Sequence, residues 1–225
     1  MGTDEWSKEK YLFKFDEASE ALEICFTAAH ESDRGAVLIC ASLVDDYMRR
    51  LFENVGKHRV PSGRLKNMIK YPGVLSSLSA KADIALLTGL IGKGTYEAIG
   101  ILRSIRNKVA HSPVDFALAD HEVNLRKLYD LGTGIGQSVN MTAMQSFLEL
   151  IVQRFLDNPK LQELYQPQGG LTREEVIRRL SESPDTLSRL NKNAARFELG
   201  LAVAMLCAII VWSWKIAESR VKHEA

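Results

Sequence analysis

Through most of this chain apolar residues return every three to four positions, the spacing of helices that each bury one face. Residues 16–52 carry the first such pattern. Leu22, Phe26 and Ala29 share one stripe, and the turn-forming run Glu31-Ser32-Asp33-Arg34-Gly35 interrupts it. A second stripe follows in Val37, Leu38, Ala41, Leu43, Val44, Tyr47, Met48 and Leu51, with Asp45, Asp46, Arg49 and Arg50 opposite; the two aspartates are expected to be solvated. Asn54 and Gly56 end that helix. Residues 55–72 read as a basic connector with Pro61, Gly63 and Pro72, holding a short helix at 65–69.

Further helices are predicted at 76–90 and from Thr95, taken as an N-cap, to the stop at Pro113, the latter with Ala98, Leu102, Ile105 and Val109 on its apolar stripe. Others are predicted at 118–131 and 140–156. Residues 158–170 have linker composition, and the pair Thr172 and Glu175 predicts a capped helix at 172–180. Pro184 starts another helix, and a strongly apolar one runs over 193–221. No alternating strand pattern and no internal repeat occurs. The expected fold is therefore all-α, a bundle of about six to eight helices with a helical C-terminal elaboration. Its divisions would be a helical domain at 1–157, a linker with short helices at 158–192, and an apolar helix at 193–225 packing back on the bundle.

The last helix has two readings. Leu199 to Trp214 is nearly continuous in apolar residues, and Trp212 and Trp214 precede Lys215, as in a membrane anchor with an aromatic belt. That run falls short of the roughly 20 residues a bilayer needs, so a core helix is favoured over a membrane contact.

Composition narrows the functional classes. At 225 residues, 46% of them apolar, the chain can bury a sizeable core. Its formal net charge is +1, which argues against a dedicated DNA-binding module while leaving room for a local basic cleft. Cys25, Cys40 and Cys207 are odd in number and form no CxxC pair, so neither disulfides nor zinc is expected, and a reducing cytoplasm fits. The acidic start Met1-Gly2-Thr3-Asp4-Glu5 lacks the apolar stretch of a signal peptide. No cofactor and no metal is implied.

The candidate chemistry gathers at one helix end. Asn107 and His111 stand four apart and share a face that Arg103 extends, whereas Arg106 and His111 diverge by about 140°. A histidine there can move the proton of a ribose 2′-hydroxyl near neutral pH, and an arginine can hold the phosphate and its developing charge. The structural alternative is a capped helix end in which these cations pair with Asp115 or Asp120. Weaker binding candidates are Ser76, Ser79 and Lys81 as an anion site at a helix start, with capping the plainer role for either serine. Asp33 and Arg34 read as a local ion pair at a helix junction. Gly132-x-Gly134-x-Gly136 lacks the spacing of a dinucleotide fingerprint.

Several segments together resemble the mannitol operon repressor family. They are Glu31 to Gly35, the run Gly73-Val74-Leu75-Ser76-Ser77-Leu78-Ser79-Ala80-Lys81-Ala82-Asp83, Leu87-Thr88-Gly89-Leu90-Ile91, Tyr96, and Ile105 to Ser112. Asp115-Phe116 and Arg196-Phe197 also fit. The likeness covers roughly residues 20 to 130 and 193 to 218, and leaves 140–190 as an elaboration. It implies an all-helical fold whose last helix packs back, and transcriptional repression through a protein partner such as a transcription factor. The Arg-Asn-x-x-Ala-His segment also resembles the HEPN superfamily (higher eukaryote and prokaryote nucleotide-binding). That likeness implies a homodimer whose cleft would carry Arg106 and His111 as catalytic residues assisted by Asn107, acting on RNA, with an antitoxin as the protein partner. The favoured expectation is a non-enzymatic, cytoplasmic, dimeric regulator. The alternative is a metal-independent endoribonuclease.

Overall fold

The computed structural model describes residues 13–111, 116–129, 149, 152–153, 155–165, 170–182 and 184–224. Among them are nine α-helices, one 3-10 turn and no strand. The helices are α1 (Asp16–Ala28), α2 (Asp33–Gly56), α3 (Ser62–Ile69), α4 (Leu78–Leu87), α5 (Lys93–His111), α6 (Glu122–Tyr129), α7 (Pro159–Tyr165), α8 (Arg173–Glu182) and α9 (Pro184–Glu224). The 3-10 turn, Leu118–His121, leads into α6.

The bundle is built around α9. Its apolar portion lies against both α1 and α2, and Leu199, Val203, Leu206, Cys207, Ile210 and Val211 are completely buried. Polar contacts fix the direction of packing. Arg196 pairs with Asp33, and Lys57 pairs with Glu218, so α9 runs parallel to α2. Lys215 pairs with Glu17 at the other end of α1, so α1 runs antiparallel to both. The α1–α9 crossing is close because Gly200 has no side chain. A Cβ there would stand 2.9 Å from the Cys25 carbonyl oxygen, nearer than real Cβ atoms come to backbone. Tyr47 and Trp214 stack across the α2–α9 seam with ring centroids 6.2 Å apart.

Burial, rather than length, places the apolar segment in the core. Ala194–Arg220 spans 27 residues and is long and apolar enough to cross a membrane, which corrects the length argument made from the sequence. In the bundle, 83% of its most apolar window is buried. Other boundaries also move. The helices expected from Pro184 and Asn193 are one continuous helix of 41 residues. The linker expected at 158–170 contains α7, whose Gln162 side chain bonds the backbone of Leu171 in both directions. Thr95 is not an N-cap; it is buried in the first turn of α5. Ser32, inside the turn-forming run, caps α2 by accepting from the Gly35 N–H at 3.1 Å. Most of the helix expected at 140–156, the glycine cluster at 132–136, Pro113 and Asp115 lie outside the described residues.

Candidate functional site

The amphipathic pattern of α5 sets up the helix end. Ala98, Ile99, Leu102, Ile105 and Val109 are buried, so the opposite side must face outward. In the last turn Arg106, Asn107, Lys108, Ala110 and His111 are all exposed, and Arg103 is half-buried one turn earlier. Arg106 Nη1 donates to Asn107 Oδ1 at 3.3 Å. Among the described residues no carboxylate pairs with Arg106, Lys108 or His111, and Asp120 is exposed and bonded to none of them.

Helical spacing then assigns the two sides of this end. Glu97, Ile101 and Ser104 line an open groove of about 530 Å³ between α5 and α6, closed on the far side by Asn124 and Lys127. The same stripe continues to Lys108 and His111, whereas Arg106 lies on another side of the helix. A side chain at Gly100, beside this groove, would meet nothing within 4 Å. Lys108 and His111 therefore continue the side of α5 that faces this groove, and Arg106 lies off it.

Arg103 belongs to a different contact. Tyr96 donates its hydroxyl to Asp83 Oδ1 at 2.9 Å, joining α5 to α4. That hydrogen bond to a carboxylate raises the Tyr96 phenol above its ordinary value, and the nearby Arg103 charge works the other way. Asp83 and Tyr96 were visible in the sequence only as parts of the family resemblance, because a tyrosine and an aspartate 13 apart follow no single helical period.

The weaker sequence candidates assemble no anion site. Ser77, not Ser76 or Ser79, caps α4 by accepting from the Ala80 N–H at 3.1 Å. Lys81 is 3% exposed and its ammonium donates to Asp45 Oδ1 at 2.6 Å, so its charge is held by α2. Asp45 is thereby paired rather than merely solvated, as is Asp46, which bonds both Arg49 and Arg50. Asp33 does not pair with Arg34. Its Oδ1 lies 3.2 Å from Arg196 Nε and its Oδ2 accepts from the Leu118 N–H at 2.8 Å. Arg196 also donates to the Glu31 carbonyl. The two resembling segments around Asp33 and Arg196 thus meet in space as a clamp on α9 and on the start of the 3-10 turn.

The three cysteines are buried free thiols. Hydrogen bonding to Cys40 and burial push the Cys25 thiol up, and burial pushes Cys207 up as well. Both stay protonated and unreactive at neutral pH.

No protein-family model, no curated protein and no solved structure matches the chain. The fold and the site together define an all-α bundle wrapped around one apolar helix, with an exposed polar turn at the end of α5.

Proposed function

We propose that this chain is a cytoplasmic helical regulator that acts through macromolecular contact at the end of α5, in the manner implied by its resemblance to the mannitol operon repressor family. One observation carries the reading. Arg106, Asn107, Lys108 and His111 are all exposed on one turn whose cations no described carboxylate neutralises. Water-exposed cations at a helix C-terminus are favoured by the helix dipole, so the turn is stable as it stands and free to receive an acidic partner. The neighbouring groove gives that partner a second surface. A homodimer would bring two such turns into one assembly.

The same exposure supports the ribonuclease alternative. Arg106 and His111 diverge on their helix, so a cleft able to use both requires a second protomer facing them.

The experiment compares wild type with Arg106→Ala, His111→Ala and the double variant in the native host, reading transcripts and protein levels together. The double variant should remain folded and reproduce the transcript changes caused by deletion. A deletion that leaves every transcript unchanged would sink the regulator reading. Purified wild type incubated with RNA and EDTA tests the alternative: intact RNA ends it, and cleavage lost on His111→Ala moves the assignment to the nuclease. Light scattering of the full chain in solution checks the dimer.

A further inference from the structure

The net charge of +1 conceals a strongly uneven distribution. Residues 54–82 contain Lys57, Arg59, Arg64, Lys66, Lys70 and Lys81 and not one Asp or Glu, so the rest of the chain carries a net −5. Lys57 and Lys81 are spent on Glu218 and Asp45. Arg59, Arg64, Lys66 and Lys70 are exposed, and among the described residues none of them forms an ion pair. Tyr71 follows immediately, 85% exposed, with no hydrogen bond or ring contact among the described residues.

This surface is held in shape by the fold. The Lys57–Glu218 pair at 2.5 Å ties its start to α9. At its other end Gly73 N–H donates to the Lys70 carbonyl at 2.6 Å and Leu75 N–H to the Met68 carbonyl at 2.8 Å. That turn needs glycine, since a Cβ on Gly73 would sit 2.2 Å from the Asn67 carbonyl oxygen. The basic side chains and the tyrosine are therefore presented by an ordered helix and a closed turn.

We propose that α3, the connection before it and the turn after it form a binding surface for single-stranded nucleic acid, with Arg59, Arg64, Lys66 and Lys70 on the phosphates and the Tyr71 ring as a platform for a base. Exposed basic side chains beside an unoccupied aromatic ring are the two components such binding uses. An anionic membrane is the rival polyanion. It would need apolar side chains beside the cations to enter the interface. Here the apolar side of α3 faces inward, with Leu65 over Gly56 and Met68 and Ile69 packed on the core, which leaves Val74 as the exposed aliphatic side chain of the turn, too little to enter an interface by itself. The surface is separate from the α5 end on which the regulator reading rests.

The test uses the full chain and a labelled single strand of about 20 nucleotides, as RNA and as DNA, long enough to exceed a typical site. Anisotropy is read between about 50 and 200 mM salt. Wild type should bind, and Arg64→Glu/Lys66→Glu/Lys70→Glu should bind at least about tenfold more weakly, with a log–log salt slope lowered by about 2, near 0.7 per lost phosphate contact. Tyr71→Ala should lose about tenfold with the slope unchanged, the mark of stacking. Arg173→Ala, which removes a basic side chain of α8 that is paired with Glu149, should bind like wild type and is the control; Arg106→Ala/His111→Ala is run beside it to detect a strand held at the helix end. Should the triple variant melt early, Lys66→Gln/Lys70→Gln takes its place, with a proportionally smaller loss. Wild type binding no better than the charge-reversed chain overturns the proposal. So does loss of binding in the α5 variant, which would put the strand at the helix end, and so does binding to phosphatidylserine vesicles without binding to either strand.

Discussion

Lys81 shows how one buried charge governs two helices. Its side chain is removed from water, and Asp45 on α2 supplies the only carboxylate it bonds among the described residues. A buried ammonium left without its partner retains its desolvation cost, so Asp45→Ala should destabilise by about 1–3 kcal/mol, tempered because Asp45 itself is partly exposed. Removing both charges in Asp45→Ala/Lys81→Met should return most of that loss, since an apolar side chain of similar length then fills the buried space of Lys81 and no charge is stranded. Urea denaturation of the two variants and of Lys81→Met closes the cycle. If the double variant is as unstable as Asp45→Ala alone, the cost lies in packing and not in the stranded charge. The sequence placed Lys81 at a helix start and read it as an anion ligand. Its true partner is 36 residues away, and such a separation follows no local period.

Helices were the most legible elements, because their signal is local. The stripe through Val37, Val44, Tyr47 and Leu51 and the break at Glu31 to Gly35 predicted α2 and its N-terminus within a few residues. The buried face of α5 was legible for the same reason. What was illegible depended on tertiary partners. α7 was hidden in an expected linker because Pro159, Pro167 and the glycines at 169 and 170 dominate the composition of 158–170, yet Pro at a first helical position is compatible with a helix. At the site, the polar turn from Arg106 to His111 could be read from sequence, but the groove beside it could not, because Asn124 and Lys127 come from another helix. Capping was half legible: the serines around the start of α4 were seen, and Ser76 and Ser79 were favoured over the true cap, Ser77. Ser77→Ala should therefore cost about 1 kcal/mol in thermal or chemical denaturation, while Ser76→Ala and Ser79→Ala should each stay within about 0.5 kcal/mol. Equal losses at all three would mean that the cap is shared.

At the scale of the whole molecule, one network of charges ties the three packed helices together at the surface of the core. Asp46 on α2 bonds Arg49 and Arg50, Arg50 reaches Glu20 on α1, and Lys215 on α9 bonds Glu17 on α1. The Tyr47 hydroxyl donates to the Glu17 carbonyl beneath it. Partial burial works to raise the Asp46 carboxyl, but the hydrogen bonds and charges of Arg49 and Arg50 outweigh it and hold the group below its ordinary value. Glu17 is lowered in the same way, with burial opposing and Lys215 prevailing. A carboxylate whose folded value is depressed binds fewer protons in the folded chain than in the unfolded one. Its contribution is therefore complete above the ordinary carboxylate values, 4.5 for Glu17 and 3.8 for Asp46, and drains away as pH falls below them and through the lower folded values. Thermal melting should be insensitive to these two groups from neutral pH down to about 5 and should fall steadily below that. Each kcal/mol lost moves Tm by about 2–4 °C in a chain of this size. Asp46→Asn and Glu17→Gln should melt lower at neutral pH and converge on wild type as the buffer becomes acidic. Parallel melting curves across the whole pH range would show instead that the network sits on the bundle without holding α1, α2 and α9 together.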